Sequence, residues 1–287
     1  MKLMITGAGG FLASRAAEYY KDGYELQAVG HRHLDITDPV QTGAVIADGR
    51  PDIVLHCAAV SDTGACERDP ERTYRVNVGG AAAIARACRA IRARMIFCSS
   101  DQVYLGSQVM VPHREDDMLC PKNTYGKQKL EAEEAVIEAD SGNVCLRLSW
   151  MFAADFSGRR EHGSLLSGVV EALRSGAAMA YPVYDYRSIT DVWDVVRNLE
   201  RAWNLPGGIY NFGSENDLCT YEVVKQILVN LNADVRVLHK NETAFSDRPR
   251  NLRMNIEKIR GYGISFPAAA ESLEKACCSL EIWDKKI

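Results

Sequence analysis

The chain has 287 residues, 47% of them hydrophobic and 25% charged, which is the make-up of an ordinary globular protein with one large domain or two small ones. A net charge of −4 argues against nucleic acid or an anionic membrane as a partner. Nine cysteines without a Cys-x-x-Cys pair argue against a zinc site or a disulfide framework, and point to reduced thiols in a cytoplasmic protein. No apolar run approaches membrane-spanning length, and the N-terminus runs straight into a strand with no signal-peptide pattern.

Leu3 to Thr6 predicts a first strand, and a helix pattern follows through Tyr20. Between them lies Gly7-Ala8-Gly9-Gly10-Phe11-Leu12-Ala13, a strand–glycine turn–helix arrangement that suits a dinucleotide pyrophosphate. Gly7 and Gly10 permit a tight turn and close approach, the helix end offers free N–H groups, and Ala13 is small enough for helix–strand packing. Tyr24 to Gly30 predicts a second strand, followed by His31-Arg32-His33. An acidic ribose-binding residue is absent there, so Arg32 becomes a candidate for the 2′-phosphate of NADP.

Asp38-Pro39 reads as an N-cap and first helical residue. Asp52 to Cys57 suits a buried parallel strand leading into the small residues Ala58 and Ala59. Glu71 to Arg94 carries one long helix pattern that includes Asn77, and Arg94 to Cys98 predicts a fourth strand. Further on come a helix over Lys127–Ala139, a strand over Val144–Leu148 and helices over Gly163–Ser175 and Asp191–Trp203. A strand over Gly208–Phe212 and a helix over Leu218–Leu231 complete the reading. This alternation predicts an α/β fold, a doubly wound parallel sheet of Rossmann type with a smaller, interleaved C-terminal α/β region. Residues 1–150 are expected to form the dinucleotide-binding domain, with 188–212 returning to it, and residues 151–187 and 213–287 the substrate-binding region.

The chemistry concentrates between Phe97 and Lys129. Tyr125 and Lys129 are four apart, so a helix places both on one face. A neighbouring ammonium favours phenolate, which makes the pair a proton donor and acceptor usable near neutral pH. Ser100, at the end of the fourth strand, could hold a substrate oxygen beside them. Gly7, Ala58 and Ser100 all follow strands and therefore share one edge, where ligands of such sheets bind.

These residues are embedded in an ordered set of short motifs: Thr6-Gly7-x-x-Gly10-x-x-Ala13, Leu34-Asp35-Ile36-Thr37-Asp38, Cys66-Glu67-x-Asp69-Pro70-Glu71, Val76-Asn77, Ser99-Ser100-Asp101-x-Val103-Tyr104, Tyr125-Gly126-Lys127-Gln128-Lys129-Leu130-Glu131-x-Glu133, Arg147-Leu148-Ser149-Trp150 and Arg248-Pro249-x-Asn251. The set resembles the extended short-chain dehydrogenases/reductases, and within them the dTDP-4-dehydrorhamnose reductase group. The resemblance implies NAD(P)H-dependent reduction of a nucleotide-linked 4-keto sugar, with NADP(H) preferred and NAD(H) allowed. Tyr125 would be the proton donor, Lys129 would hold the nicotinamide ribose and tune the phenol, and Ser100 and Asp101 would stand beside the carbonyl. Gly7, Gly10, Phe11, Leu12, Asp35, Ile36, Ala58, Ala59 and Ser99 would line the dinucleotide. The partners implied are the nucleotide sugar and a second copy in a homodimer; some members of the family use a metal at a subunit contact, and no metal ligands are identified in this sequence.

The pattern is altered in the substrate half. Gln102-Val103-Tyr104-Leu105-Gly106 replaces a Tyr-Val-Phe-Asp-Gly run, the segment after Trp150 carries Arg159-Arg160-Glu161-His162, and Asp185 to Val192 departs from the family's Asp-Gln segment. Arginine forks bind phosphate oxygens, so Arg159, Arg160, Arg187, Arg248 and Arg250 are candidates for the sugar diphosphate, with Arg187 and Arg248 preferred from their loop positions. Tyr104, Trp150 and Tyr186 could stack on sugar or base, although a core role suits Trp150 equally. The six histidines show no ligand or triad spacing. Two alternatives follow from the same fold: an NAD-dependent sugar-nucleotide epimerase or dehydratase, and a non-catalytic nucleotide-binding subunit resembling that of methionine adenosyltransferase.

Overall fold

Side-chain alternation sorts the first strand, β1 (Lys2–Thr6), between two cores. Leu3 and Ile5 join one hydrophobic cluster and Met4 joins another, because successive residues of a strand face opposite ways. Residues 1–155 and 163–280 are described by this computed structural model. The chain continues through α1 (Phe11–Tyr20), β2 (Glu25–Val29), α2 (Pro39–Gly49), β3 (Ile53–His56), α3 (Thr63–Arg68), α4 (Pro70–Tyr74), α5 (Ala81–Ile91), β4 (Arg94–Ser100), α6 (Thr124–Ala139) and β5 (Val144–Leu148). The later elements are β6 (Trp150–Phe152), α7 (Leu165–Ser175), β7 (Met179–Pro182), β8 (Asp185–Arg187), β9 (Ile189–Asp191), α8 (Val192–Ala202), β10 (Gly208–Phe212), α9 (Thr220–Asn230), β11 (Leu238–Asn241), β12 (Arg250–Leu252), α10 (Glu257–Arg260) and α11 (Ala269–Ser279).

Six strands form one parallel sheet in the order β10-β5-β4-β3-β1-β2. Helices α1 and α8 cover one face, with Ala16, Val195 and Leu199 packed on Ile5, Leu55 and Leu146. Helices α2, α5 and α6 cover the other, with Ile46, Ile84 and Val136 packed on Met4, Val54 and Phe97. The α/β expectation is therefore met by a doubly wound Rossmann-type sheet. The chain leaves β1 in one direction to reach β2 and returns past it to β3, so the carboxyl ends of β1 and β3 flank the point where strand order reverses. Ligands of this architecture bind in the crevice there.

The pattern over Glu71–Arg94 does not form one α-helix. Residues Arg75–Gly80 make a π-helical turn between α4 and α5, and α4 starts one residue early at Pro70 with Asp69 as its cap. Such wide turns recur at functional sites. Here the turn carries Asn77 into the interior, 2% exposed, where it accepts from the Val60 amide at 2.8 Å and donates to the Val60 carbonyl and to Gln128 of α6.

A third core, containing Phe152, Leu166, Val169, Ile227 and Leu273, lies under α7, α9 and α11. Three two-stranded parallel pairs, β6–β9, β7–β11 and β8–β12, knit this region together. At the outer rim of the main sheet, Lys258 donates to the Ile209 carbonyl of β10 at 2.7 Å and the Glu115 carboxylate accepts from the Asn211 amide at 2.8 Å. Among the described residues no helix is long and apolar enough to cross a membrane.

Candidate active site

Gly7 has φ of +70°, a left-handed conformation that glycine adopts without strain. A Cβ placed on it would lie 2.8 Å from the backbone of Ala58, which is much too close. The turn after β1 is thus pressed onto the chain leaving β3. Gly10 caps α1 with extended backbone and no side-chain hydrogen bond, leaving the first-turn N–H groups for a ligand. Phe11 and Leu12 bury their side chains in the core, so only their backbone can face the crevice. These residues fit a dinucleotide pyrophosphate: a cradle without side chains, over a helix end of positive polarity. Gly7→Ala is expected to abolish dinucleotide binding, lowering affinity at least about a hundredfold through combined clash and strain; fluorescence titration with NADPH checks it, alongside a melting curve to separate misfolding.

Arg32 is exposed in the turn after β2. Asp35 spends one carboxylate oxygen on the hydroxyl and amide of Thr37, at 2.7 and 2.9 Å, which holds its pKa below the usual carboxylate range. Ile36 is buried at 7% exposure and packs against Gly80 of the π-turn, where a Cβ would meet its Cδ1 at 2.6 Å. Its side chain is thus held in place by a core contact. Ala58 and Ala59 are half-buried at the end of β3.

The start of α6 brings the phenol to the sheet edge. Asn123 caps the helix by accepting from the Gly126 amide at 2.8 Å, and its own amide donates to Gln102. Gly126 sits so close to the turn after β4 that a Cβ would fall 2.3 Å from the Gln102 carbonyl oxygen. This contact sets the Tyr125 phenol beside Ser100 and the Asp101 carboxylate. One turn on, the Lys129 ammonium is 97% buried, donates to the Cys98 carbonyl at 2.7 Å, and lies 4.6 Å from the Phe97 ring centre and 5.7 Å from that of Tyr125. Burial lowers its pKa. Ser100, Tyr125 and Lys129 are therefore brought together at the carboxyl edge.

The ionisation of Tyr125 runs against expectation. Burial, reinforced by the carboxylate of Asp101, pushes the phenol well up, and the nearby Ser100 hydroxyl offsets only part of this. The ammonium that was to favour phenolate is bonded to the Cys98 carbonyl instead.

Asp101 is buried at 3% exposure. One carboxylate oxygen accepts from Ser100 and Gln102 at 3.2 and 3.4 Å, and the other has no protein partner. Burial raises its pKa to about 6, against the opposing charges of Arg187 and Arg250 and the two hydrogen bonds. An acid whose folded pKa is raised binds protons more readily folded than unfolded, so stability falls as pH rises from about 4 to about 6. Asp101→Asn is expected to flatten that decline and to raise stability at pH 7 by about 1–3 kcal/mol; urea unfolding of both proteins between pH 4 and 8 checks it.

The second region contributes a charged cluster beside Asp101. Asp185 of β8 receives Arg250 of β12 through two bonds of 2.7 Å, and Arg187 at 3.3 Å. Burial alone would raise the Asp185 carboxyl, but the two guanidiniums outweigh it and hold the pKa low. Arg187 also stacks over half-buried Trp150, 4.9 Å from the ring centre. Arg248 is exposed, and Arg250 rather than Arg248 is the residue the fold ties into this cluster. The β8–β12 register, Arg250 opposite Asp185, explains the difference, and sequence spacing does not show it. Arg159, Arg160 and His162 lie outside the described residues.

Two assignments change. Tyr104 is 2% exposed, with its ring stacked on His113 at 4.5 Å, its hydroxyl donating to Asn211 at 2.7 Å and accepting from Arg147 at 2.9 Å. It is held in the interior by these bonds and is not open to a sugar. The Ser99 hydroxyl is turned to Glu133 on α6, because Ser99 and Ser100 point to opposite faces of β4. Glu133 in turn takes the Arg147 guanidinium through two bonds of 3.0 and 2.8 Å, both side chains being fully buried. Glu133 and Asn77 are supporting residues whose roles were not assigned from sequence. Their only signal was membership of the short motifs.

The sheet order, the glycine turn at the β1/β3 crevice and the Ser100–Tyr125–Lys129 grouping together define a Rossmann-type protein of the extended short-chain dehydrogenase/reductase kind. More narrowly, the profile of the RmlD substrate binding domain matches residues 1–281, and the chain belongs to that family. A curated relative, methionine adenosyltransferase 2 subunit beta of Xenopus tropicalis, is 27% identical over 282 residues, covering 92% of this chain and 83% of its own. The dTDP-4-dehydrorhamnose reductase of Mycobacterium tuberculosis is 34% identical over 155 residues, which is 53% of this chain and 50% of that protein. Among solved structures, the fold matches dTDP-4-dehydrorhamnose reductase from Bacillus anthracis in complex with NADP, with a TM-score of 0.86 at 24% identity, covering 96% and 97% of the two chains.

Proposed function

We propose that the protein reduces a nucleotide-linked 4-keto sugar, of the dTDP-4-dehydrorhamnose type, with NADPH preferred over NADH. The observation that carries this reading is the Tyr125 phenol placed beside Ser100, with buried Lys129 one helical turn away, at the edge shared with the Gly7 turn. A bound nicotinamide supplies the hydride. Ser100 holds the carbonyl oxygen, and Tyr125 donates its proton to that oxygen as the alkoxide forms. A phenol held protonated by burial is in the right state to give a proton. Lys129 places a positive charge under the developing negative one. Arg187 and Arg250, with Trp150 stacked alongside, supply cationic and aromatic surface for the nucleotide diphosphate. Exposed Arg32 at the end of β2 supports the NADP preference.

The test is NADPH and NADH oxidation followed by absorbance, with dTDP-4-dehydrorhamnose and with UDP- and GDP-linked 4-keto sugars. Oxidation with any of them supports the reaction and identifies the nucleotide. Dinucleotide binding without oxidation of any sugar overturns it. A second reading, a non-catalytic nucleotide-binding subunit, is favoured by the 27% identity to methionine adenosyltransferase 2 subunit beta, which extends over 92% of the chain. Stoichiometric co-purification with a methionine adenosyltransferase catalytic chain, joined to absence of turnover, would establish it.

A further inference from the structure

Cys57 leaves β3 and Cys98 lies in β4, on neighbouring parallel strands whose register pairs His56 with Phe97. The next residues along each strand are the two cysteines, and their Sγ atoms lie 3.5 Å apart. Both belong to the carboxyl edge of the sheet. Cys57 is half-buried and immediately precedes Ala58, the residue pressed against Gly7. Cys98 is buried and its carbonyl holds the Lys129 ammonium. The proposed reaction has no use for either sulfur.

We propose that Cys57 and Cys98 form a vicinal dithiol that hydrogen peroxide closes to a disulfide, and that closure disables the dinucleotide crevice. The sulfur of Cys57, the less buried residue of the two, attacks one peroxide oxygen on losing its proton. The O–O bond breaks, a sulfenic acid forms, and the departing hydroxide takes up the thiol proton to leave as water. The Cys98 sulfur then attacks the Cys57 sulfur, the S–O bond breaks, and the hydroxide leaves with the second thiol proton as water. Two thiols are oxidised by two electrons and one peroxide is reduced to two waters. At rest, the Cys98 hydrogen bond and burial hold the Cys57 thiol protonated, with the Lys129 charge opposing them, so the pair responds to sustained exposure. Closure draws the sulfurs from 3.5 Å to about 2.05 Å. That movement pulls on Ala58 from one strand and on the carbonyl that positions Lys129 from the other.

The loss of dinucleotide binding rests on the function proposed above, whereas formation of the disulfide does not. The experiment uses the full chain with the exposed Cys120 and Cys278 changed to serine. It is treated with hydrogen peroxide, alkylated, and mapped by mass spectrometry before and after a reductant. A reducible Cys57–Cys98 cross-linked peptide is expected, together with NADPH affinity about tenfold weaker in the oxidised form and restored by reductant. Cys57→Ser should make oxidised and reduced affinities equal. A native oxidised protein that contains no Cys57–Cys98 link overturns the dithiol. A link that forms without altering NADPH affinity overturns the effect on the crevice. If the reduced protein binds no NADPH, the proposed function fails while the peptide map still decides the disulfide.

Discussion

Tyr125→Phe is expected to lower turnover of a 4-keto sugar nucleotide by about 10²–10⁴-fold while leaving NADPH affinity within about twofold. The substitution removes one oxygen. The ring keeps its place because Gly126 fixes the helix start against Gln102 and Asn123 caps it, and neither contact uses the phenol hydroxyl. What disappears is the proton that burial keeps on the oxygen. The Gly7–Gly10 turn and the first turn of α1 lie on a different strand and are untouched. Stopped-flow or steady-state absorbance at the NADPH band measures the first quantity and fluorescence titration the second. Unchanged turnover sinks the assignment of Tyr125 as donor. Parallel loss of binding and turnover would instead show that the phenol is structural.

Glu133→Ala is expected to destabilise the protein by about 3–5 kcal/mol, on the order of 10 °C in melting temperature. The carboxylate is fully buried, receives the Arg147 guanidinium through both oxygens, and also takes the Ser99 hydroxyl. Removing it leaves a guanidinium buried between β5 and α6 with only the Tyr104 hydroxyl and the Glu115 carbonyl as partners. The loss is an uncompensated charge in a poor solvent, which costs more than the ion pair contributed in net terms. Glu133→Gln keeps an acceptor in place and should recover part of the stability. Equal melting temperatures for wild type and Glu133→Ala would show that water reaches Arg147. Lys129 is one turn from Glu133 on the same helix, so the two variants also separate support of the site from its chemistry: Glu133→Gln should melt between Glu133→Ala and wild type and retain turnover.

The main sheet could be read from the chain because buried parallel strands are short apolar runs and their helices carry a strong period. The glycine turn and the Tyr125–Lys129 spacing were readable for a related reason: each is a local pattern whose geometry follows from one strand end or one helix face. The continuous helix over Glu71–Arg94 was misread because a π-turn preserves helical composition while changing the angular step, and periodicity in Val76 to Gly80 carries no mark of it. The small pairs β8–β12 and β7–β11 were missed because each is three or four residues long and binds a distant partner. In β8 the interior is charged, Asp185 and Arg187, so the apolar signal of a strand is absent. Tyr104 was assigned to substrate as an aromatic that could stack on sugar or base, and only the pairing of β5 with β10, which sets Arg147 opposite Asn211, shows that these two claim its hydroxyl. The fall in Tyr125 acidity was likewise beyond the sequence, since a spacing of four fixes a face and says nothing about which acceptor a lysine will choose.

The rim at β10 bears on how copies of this chain can meet. An unprotected outer strand invites a neighbour to continue the sheet across the boundary between molecules. Here the outward carbonyl of Ile209 and the outward amide of Asn211 are already answered by Lys258 and Glu115 from elsewhere in the same chain. A second molecule arriving at β10 would have to displace two charged side chains before gaining a single backbone bond. Continuation of the sheet across β10 is therefore disfavoured, and the newly made chain is spared a route to open-ended stacking at this border.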